Sequence, residues 1–419
     1  MSFLLKPARA RFLVFIALLG FFIRFGAVVA MRNTSRPPGL QMGQDGIDYH
    51  NLGESLAHGR GFARKDGTPT SFRAPGFPFL LAGLYLVPER GFLLVYVVLC
   101  LLGALTCVLT YFLGTELFSE AGARLAALLM VFYFPHIYFA TVYASENVFI
   151  PVFALSVYCI LRLLKTPALL TALIAGLTMG YAVLTRPFAI LCLPLLALVI
   201  LWKRISRATL AGCAVFCVVT LAVTLSWSWR NFEVQHMPVF ATTNGGSTFY
   251  GGNNDVVLHS PKFYGSWLPT AELPGGAIFK AAPSEVARDH EEWTFGENWV
   301  KGHLAAMPLL VVMKLARFWL PEVSSGNRLY VLLDLLTYTP YLLLIIWAAI
   351  KGIRNRGLLT REWAAVHAAF AATLITAVLF WGSPRFRDAN APLLVLYATF
   401  GVMQLIGLLE SRGIEKLNS

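Results

Sequence analysis

The sequence predicts an all-α protein that crosses a membrane repeatedly, and three observations predict it. Hydrophobic residues make up 57% of the 419-residue chain, while Asp, Glu, Lys and Arg together make up 13%. Mean hydropathy is +0.65. The apolar residues fall in runs of roughly twenty, the length that carries an α-helix across the hydrocarbon of a bilayer. The loops between those runs are short and hold basic residues, as expected where Lys and Arg set topology.

Taken in order, the runs at 11–31, 91–114, 123–142, 146–164, 168–185, 187–202, 208–229, 329–350, 363–381 and 389–409 predict about ten transmembrane helices. They form one membrane domain over 1–419. The first run has no small-residue cleavage signature and is read as a retained helix. Lys6, Arg9 and Arg11 place the N-terminus in the cytoplasm. Counting forward puts Arg124, then Arg162 and Lys165, then Lys203, Arg204 and Arg207 in cytoplasmic loops. His303 to Leu320 is apolar but carries Lys314 and Arg317. Were it to cross, Lys351, Arg354, Arg356 and Arg361 would face outside, so it is read as lying on or dipping into the outer surface. The C-terminus, with Arg412 and Lys416, is then cytoplasmic. Two large external regions remain: a first loop at 32–90, and 230–328 with Gly/Asn-rich turns and a surface helix near Glu285 to His303.

The formal charge of +12 does not point to nucleic acid, because the basic residues are spread over the inter-helix loops. The six cysteines lie within apolar runs, and Cys213 and Cys217, one helical turn apart, have no His or carboxylate with them. The external histidines show no metal-ligand spacing. Gly59-Arg60-Gly61 is too short for a dinucleotide or phosphate loop and follows an amphipathic helix rather than a strand.

The first external loop is the first large polar island in the chain. Tyr49, Leu52 and Leu56 follow Asp45 at helical spacing, predicting an amphipathic helix on the membrane surface with Asp45 in its first turn. Capping offers a structural explanation for Asp45 and Asp48, and a helix-dipole role offers one for Glu146 after Ser145. The topology nevertheless puts Asp45, Asp48 and Glu146 on one membrane face, where carboxylates are candidates for catalysis. Arg73, Arg186, Arg230, Arg385 and Arg387 fall at external helix ends, where basic residues are disfavoured. Snorkelling accounts for any one of them; five point to an anion such as a lipid phosphate, which guanidinium groups grip with paired hydrogen bonds. Tyr49, Asn244 and Asn253 are weaker candidates for substrate contact.

Six motifs appear in order. They are Asp-x-x-x-Tyr-x-x-Leu with Gly-x-Gly-Phe, Phe-Arg-x-Pro-Gly-Phe-Pro, Ser-Glu, Thr-Arg-Pro, Trp-Arg-Asn, and Arg-Phe-Arg with Pro392 behind it. Together they resemble the GT-C membrane glycosyltransferases, nearest to the protein O-mannosyltransferase group and the bacterial aminoarabinose transferases. The resemblance runs from the first helix to Pro392. It implies transfer of a sugar from a polyprenyl-phosphate donor to a glycan, glycolipid or protein acceptor at the external face, with inversion. It further implies Asp45 as the base, Glu146 as the second acid, and Arg73, Arg385 and Arg387 on the lipid phosphate. Asp48 adds an acid that could exchange roles with Asp45. The chain ends soon after its last apolar run, so acceptor recognition would fall to 230–328.

Such chemistry suits these residue types without the resemblance. A departing phosphate needs charge stabilisation rather than a general acid, and an attacking hydroxyl needs one carboxylate in reach. No cofactor is expected, and a divalent metal between Asp45 and Glu146 stays open, although two carboxylates without histidine make a weak site. A transporter or flippase of a lipid-linked sugar could use the same charges, but it would more often place acids deep in broken helices of repeated halves. A non-catalytic scaffold would keep the acids as caps. The compact build favours a bacterial inner membrane.

Overall fold

The computed structural model describes residues 7–31, 44–87, 91–322 and 327–407. Lys6, Arg412 and Lys416, used above for topology, lie outside the described residues. The chain runs through α1 (Pro7–Ala30), α2 (Gln44–Ala57), α3 (Gly76–Tyr85), α4 (Gly91–Leu117), α5 (Glu120–Phe132), α6 (Phe134–Phe139) and α7 (Glu146–Lys165). It continues through α8 (Leu169–Thr185), α9 (Cys192–Leu201), α10 (Arg207–Gln235), α11 (Gly245–Gly251), α12 (Asp255–His259) and α13 (Gly276–Ala281). Then come α14 (Glu285–Gly302), α15 (Met307–Trp319), α16 (Arg328–Arg354), α17 (Arg361–Leu379), α18 (Pro384–Asp388) and α19 (Ala391–Leu405). The described residues contain no strand, only an isolated bridge between Ala63 and Pro69.

The protein is an all-α integral membrane protein. Among the described residues six helices are long and apolar enough to cross a membrane: α1, most of α4, α7, α10, α16 and α17. The remaining predicted spans are shorter helices. The run at 123–142 is divided into α5 and α6, because Pro135 in the first turn of α6 has no N–H to continue the helix. The run at 187–202 opens as a 3₁₀ turn from Pro187 before α9. The expected surface helix is present as α14, and it meets the following helical segment at a bend of 79°. That bend agrees with a segment that dips rather than runs straight, and its length also allows a broken span.

Small residues bring the helices close. A Cβ on Gly176 would stand 2.8 Å from that of Val219, and one on Gly180 would stand 2.6 Å from that of Val223. Helices α8 and α10 therefore pack backbone to backbone, as small-xxx-small faces allow. The buried Arg24 of α1 lies over Gly103 of α4 and donates to Gly20 O at 3.0 Å and His136 Nδ1 at 2.6 Å.

At the bundle end predicted to be cytoplasmic, basic residues close helix termini. Arg361 donates to Leu164 O at 3.2 Å and also to Ile200 O, satisfying the last carbonyls of α7 and α9. Lys165 pairs with Glu116 at 2.8 Å. The opposite end gathers the start of α7, the end of α8, α2 and α18.

Candidate active site

Asp45 stands in the first turn of α2, whose apolar stripe seats Tyr49 and Leu52 against the protein. Tyr49 packs edge-on to Phe77 of α3 at 5.3 Å between ring centroids. This fixes the helix so that Asp45 and Asp48, three residues apart and so on one face, both meet Arg73. Arg73 Nη2 is 2.7 Å from Asp45 Oδ1. Its Nε and Nη2 donate to Asp48 Oδ2 at 3.0 and 2.8 Å. Gln44 Nε2 donates to Asp48 Oδ1 at 2.8 Å. The two aspartates are thus arginine partners rather than a capping pair.

Glu146 begins α7 and is fully buried, and so it needs partners. Arg186, at the end of α8, lies 2.5 Å from Glu146 Oε1. Arg385 of α18 donates from Nε to Glu146 Oε1 and from Nη2 to Oε2, the latter at 3.0 Å. The same guanidinium donates from Nη1 to Asp45 Oδ2 at 2.7 Å. Arg385 therefore bridges an acid from the first loop and an acid from the start of a membrane helix. Three acids and three arginines, each from a region separate in sequence except for the Asp45–Asp48 pair, form one charge-balanced cluster.

Burial by itself pushes the Asp45 carboxyl upward, but the charges of Arg385 and Arg73 and the Arg385 hydrogen bond outweigh it and hold the group at about 2. Arg186 is packed among three rings, with Cζ 5.9 Å from Phe149, 5.5 Å from Phe188 and 5.6 Å from Phe386. Its Nε is buried without a hydrogen-bond partner among the described residues.

The other sequence candidates sit elsewhere. Arg230 donates to Thr70 O at 2.7 Å and Phe62 O at 2.9 Å, tying the first loop to the end of α10. Arg387 is fully buried and grips its neighbour Asp388 through Nε and Nη2 at 2.8 and 3.0 Å. It also donates to Leu320 O at 2.9 Å and lies 3.5 Å over the Tyr338 ring. Asn253 is buried, donates to Leu379 O at 3.1 Å and accepts from Lys314 Nζ at 2.8 Å. Asn244 accepts from Thr242 Oγ1 at 2.8 Å before α11. For these four, the contacts seen are with scaffold groups rather than with the three acids. In this structure Arg230 is held by backbone carbonyls and Arg387 by Asp388, so neither adjoins the cluster of acids.

Sequence reasoning missed Ser145 as a ligand of Arg186, whose Nη1 donates to its Oγ at 3.4 Å. Ser145 stands at the N-cap position of α7 but makes no side-chain cap bond there. Sequence reasoning also missed Phe149, Phe188 and Phe386. The Phe between two arginines at 385–387 was the available signal for the last of these.

Among the described residues there is no group of three or more His, Cys, Asp or Glu able to hold a metal ion. The two carboxylates offered for a metal, Asp45 and Glu146, share a guanidinium instead.

The sequence model of the dolichyl-phosphate-mannose-protein mannosyltransferase family matches residues 72–229. This stretch holds Arg73, Glu146 and Arg186. The structure is similar to the Archaeoglobus fulgidus oligosaccharyltransferase AglB in complex with an inhibitory peptide and a dolichol-phosphate, with a TM-score of 0.56 and 16% identity. That match covers 99% of this chain and 52% of AglB. The fold is that of the GT-C membrane glycosyltransferases. The apo form of the Archaeoglobus fulgidus oligosaccharyltransferase is similar too, at TM-score 0.55 and 17% identity over 98% of this chain and 52% of the other. A complex of that oligosaccharyltransferase with zinc and sulfate gives TM-score 0.52 and 16% identity over 96% of this chain and 50% of the other. The chain thus spans about half the length of these GT-C structures. No curated protein matches it.

Proposed function

We propose that this protein is an inverting glycosyltransferase that moves a sugar from a polyprenyl-phosphate donor to an acceptor hydroxyl at the external, periplasmic face of a bacterial inner membrane. The observation that carries this reading is the cluster of Asp45, Asp48 and Glu146 with Arg73, Arg186 and Arg385 at one end of the membrane helices. A lipid phosphate arriving from the bilayer meets arginines whose N–H groups are already oriented, and Arg186 Nε is an unmatched donor among them. The dolichol-phosphate in the AglB complex belongs to the same chemical class as the donor proposed here.

In the reaction, the acceptor oxygen attacks the anomeric carbon from the face opposite the phosphate. The new C–O bond forms as the C–O bond to phosphate breaks, and polyprenyl phosphate leaves with the bonding pair. Arginines stabilise the growing phosphate charge. The acceptor proton passes to a carboxylate, for which Asp45 is the choice and Asp48 the alternate. Both Asp45 oxygens are engaged by arginine in the free protein. The donor phosphate competes for Arg73 and Arg385, and this competition frees an Asp45 oxygen for the acceptor. The region at 230–328, whose Glu285 accepts from Thr70 of the first loop at 2.8 Å, is assigned to a glycan, glycolipid or protein acceptor. Both termini are assigned to the cytoplasm.

The test is release of free polyprenyl phosphate from a panel of polyprenyl-phosphate sugars, with membrane extract as acceptor source, for wild type and Asp45→Asn side by side. Release by wild type alone is expected. Saturable donor binding with release from no donor, together with donor flipping in vesicles, would replace the transferase by a transporter.

A further inference from the structure

Arg385 occupies the place between two carboxylates that a divalent cation would need. We propose that the Arg385 guanidinium is the resident cation of this site, and that the site neither binds nor requires a divalent metal. The inference rests on the transferase reading above.

Geometry is the first argument. Asp45 divides its two oxygens between Arg73 and Arg385, while Arg385 holds both oxygens of Glu146 and Arg186 shares Oε1. A hard cation needs six or more oxygen ligands, several of them from carboxylates or carbonyls. Here it would have to strip guanidinium contacts from a glutamate that is fully buried.

Charge is the second. Three acids face three arginines, so a divalent ion would enter a neutral cluster and leave displaced arginines without partners where burial makes unpaired charge costly.

Anchoring is the third, because Arg385 does not hang from a loose loop. Ser383 caps α18 through the Arg385 N–H at 3.2 Å. The Arg387–Asp388 pair then fastens the other end, with Tyr133 donating to Asp388 Oδ1 at 2.5 Å and Arg387 donating to Leu320 O at 2.9 Å.

A guanidinium also does what a metal would do for the leaving group. It carries five N–H donors, of which three serve Asp45 and Glu146. The others supply hydrogen bonds to a phosphate oxygen. Unlike a metal, this cation cannot be lost to a chelator.

The test uses the purified full chain in lipid nanodiscs. Bound metals are quantified by mass spectrometry after dialysis against Mg²⁺, Mn²⁺ or Zn²⁺, and melting temperature is followed through the same titrations. Wild type is expected to hold well under one metal per chain and to show no saturable shift. Donor cleavage is expected to change less than twofold with EDTA. Arg385→Ala is expected to lose about 100-fold or more in cleavage, the scale of a lost preorganised charge. Added guanidinium chloride should recover part of that loss, and Mg²⁺ or Mn²⁺ should not. Arg385→Lys, which keeps the charge, controls for folding and should retain more activity than Arg385→Ala.

One stoichiometric metal in wild type that is lost in Asp45→Asn would overturn the inference, as would chelator-sensitive cleavage restored by metal. The metal content and the melting shift read this inference even where no donor is turned over, so its failure is distinct from failure of the transferase reading.

Discussion

Arg385 and Arg387 are two residues apart on a five-residue helix, yet they serve opposite surroundings. Arg385 reaches the acids of the candidate active site with a side chain 26% exposed, whereas the Arg387 side chain is wholly enclosed against Asp388. On a helix, residues i and i+2 stand about 200° apart and so point to opposite sides, whereas on a strand they would share a face. Here the short turn after Ser383 directs Arg385 to Asp45 and Glu146 and Arg387 to Asp388.

Arg387→Ala is therefore expected to act on stability. It leaves Asp388 buried without its cation, a loss of about 3–5 kcal/mol for a broken buried pair. Thermal unfolding in nanodiscs should show a fall much larger than that of Arg385→Ala. Equal melting temperatures for the two variants would contradict the division of roles.

Asp45→Asn is expected to reduce transfer by about 10²–10⁴-fold, the usual scale of a lost general base, with donor binding largely kept. Asp48→Asn should act differently, because Asp48 orients Arg73 through two hydrogen bonds to its Oδ2. A rise in donor KM of roughly tenfold, the scale of one charge-assisted hydrogen bond, should exceed its effect on kcat. If Asp48→Asn abolishes kcat and Asp45→Asn does not, the two aspartates exchange roles.

Acid should weaken the cluster in a defined window. The Asp45 carboxyl is held at about 2 against an ordinary 3.8. Its ionised form therefore contributes stability that is complete above pH about 4 and is lost as pH falls through about 2. The contribution is about 2 kcal/mol. Melting temperatures measured down this range should fall more steeply for wild type than for Asp45→Asn. Parallel curves would mean that Asp45 is not held ionised by its arginines.

Gly76→Ala is expected to disturb the site from behind. A Cβ there would stand 2.2 Å from Thr185 Oγ1 and 3.1 Å from Leu184 O, at the end of α8 that presents Arg186. Overpacking of this kind costs about 1–3 kcal/mol. Lower stability together with weaker donor binding should be seen by thermal melts and a donor-binding assay, and a neutral substitution would show that α3 and α8 separate easily.

Orientation is checked by labelling. In a cysteine-free background, Lys351→Cys should react with a membrane-impermeant maleimide only from the cytoplasmic side. Reaction from outside would mean that α14 and α15 together cross the membrane.

The membrane class, the order of the apolar segments and the helix opening at Asp45 were determined by sequence, because hydropathy and helical spacing are local properties. The approach of Glu146, Arg73 and Arg186 to Asp45 was legible as a shared face, since the basic loops set the direction of each segment. What local pattern could not decide was partnership. Arg385 lies 340 positions from Asp45, and Arg230, Arg385 and Arg387 read alike as external arginines. Tertiary packing gave Arg385 to the acids, Arg230 to the carbonyls of Thr70 and Phe62, and Arg387 to Asp388. The physical reason is burial: each charge removed from water must take whichever opposite charge or carbonyl the fold brings within about 3 Å. That neighbour is chosen by the crossing of distant helices rather than by the residues next to it in the chain.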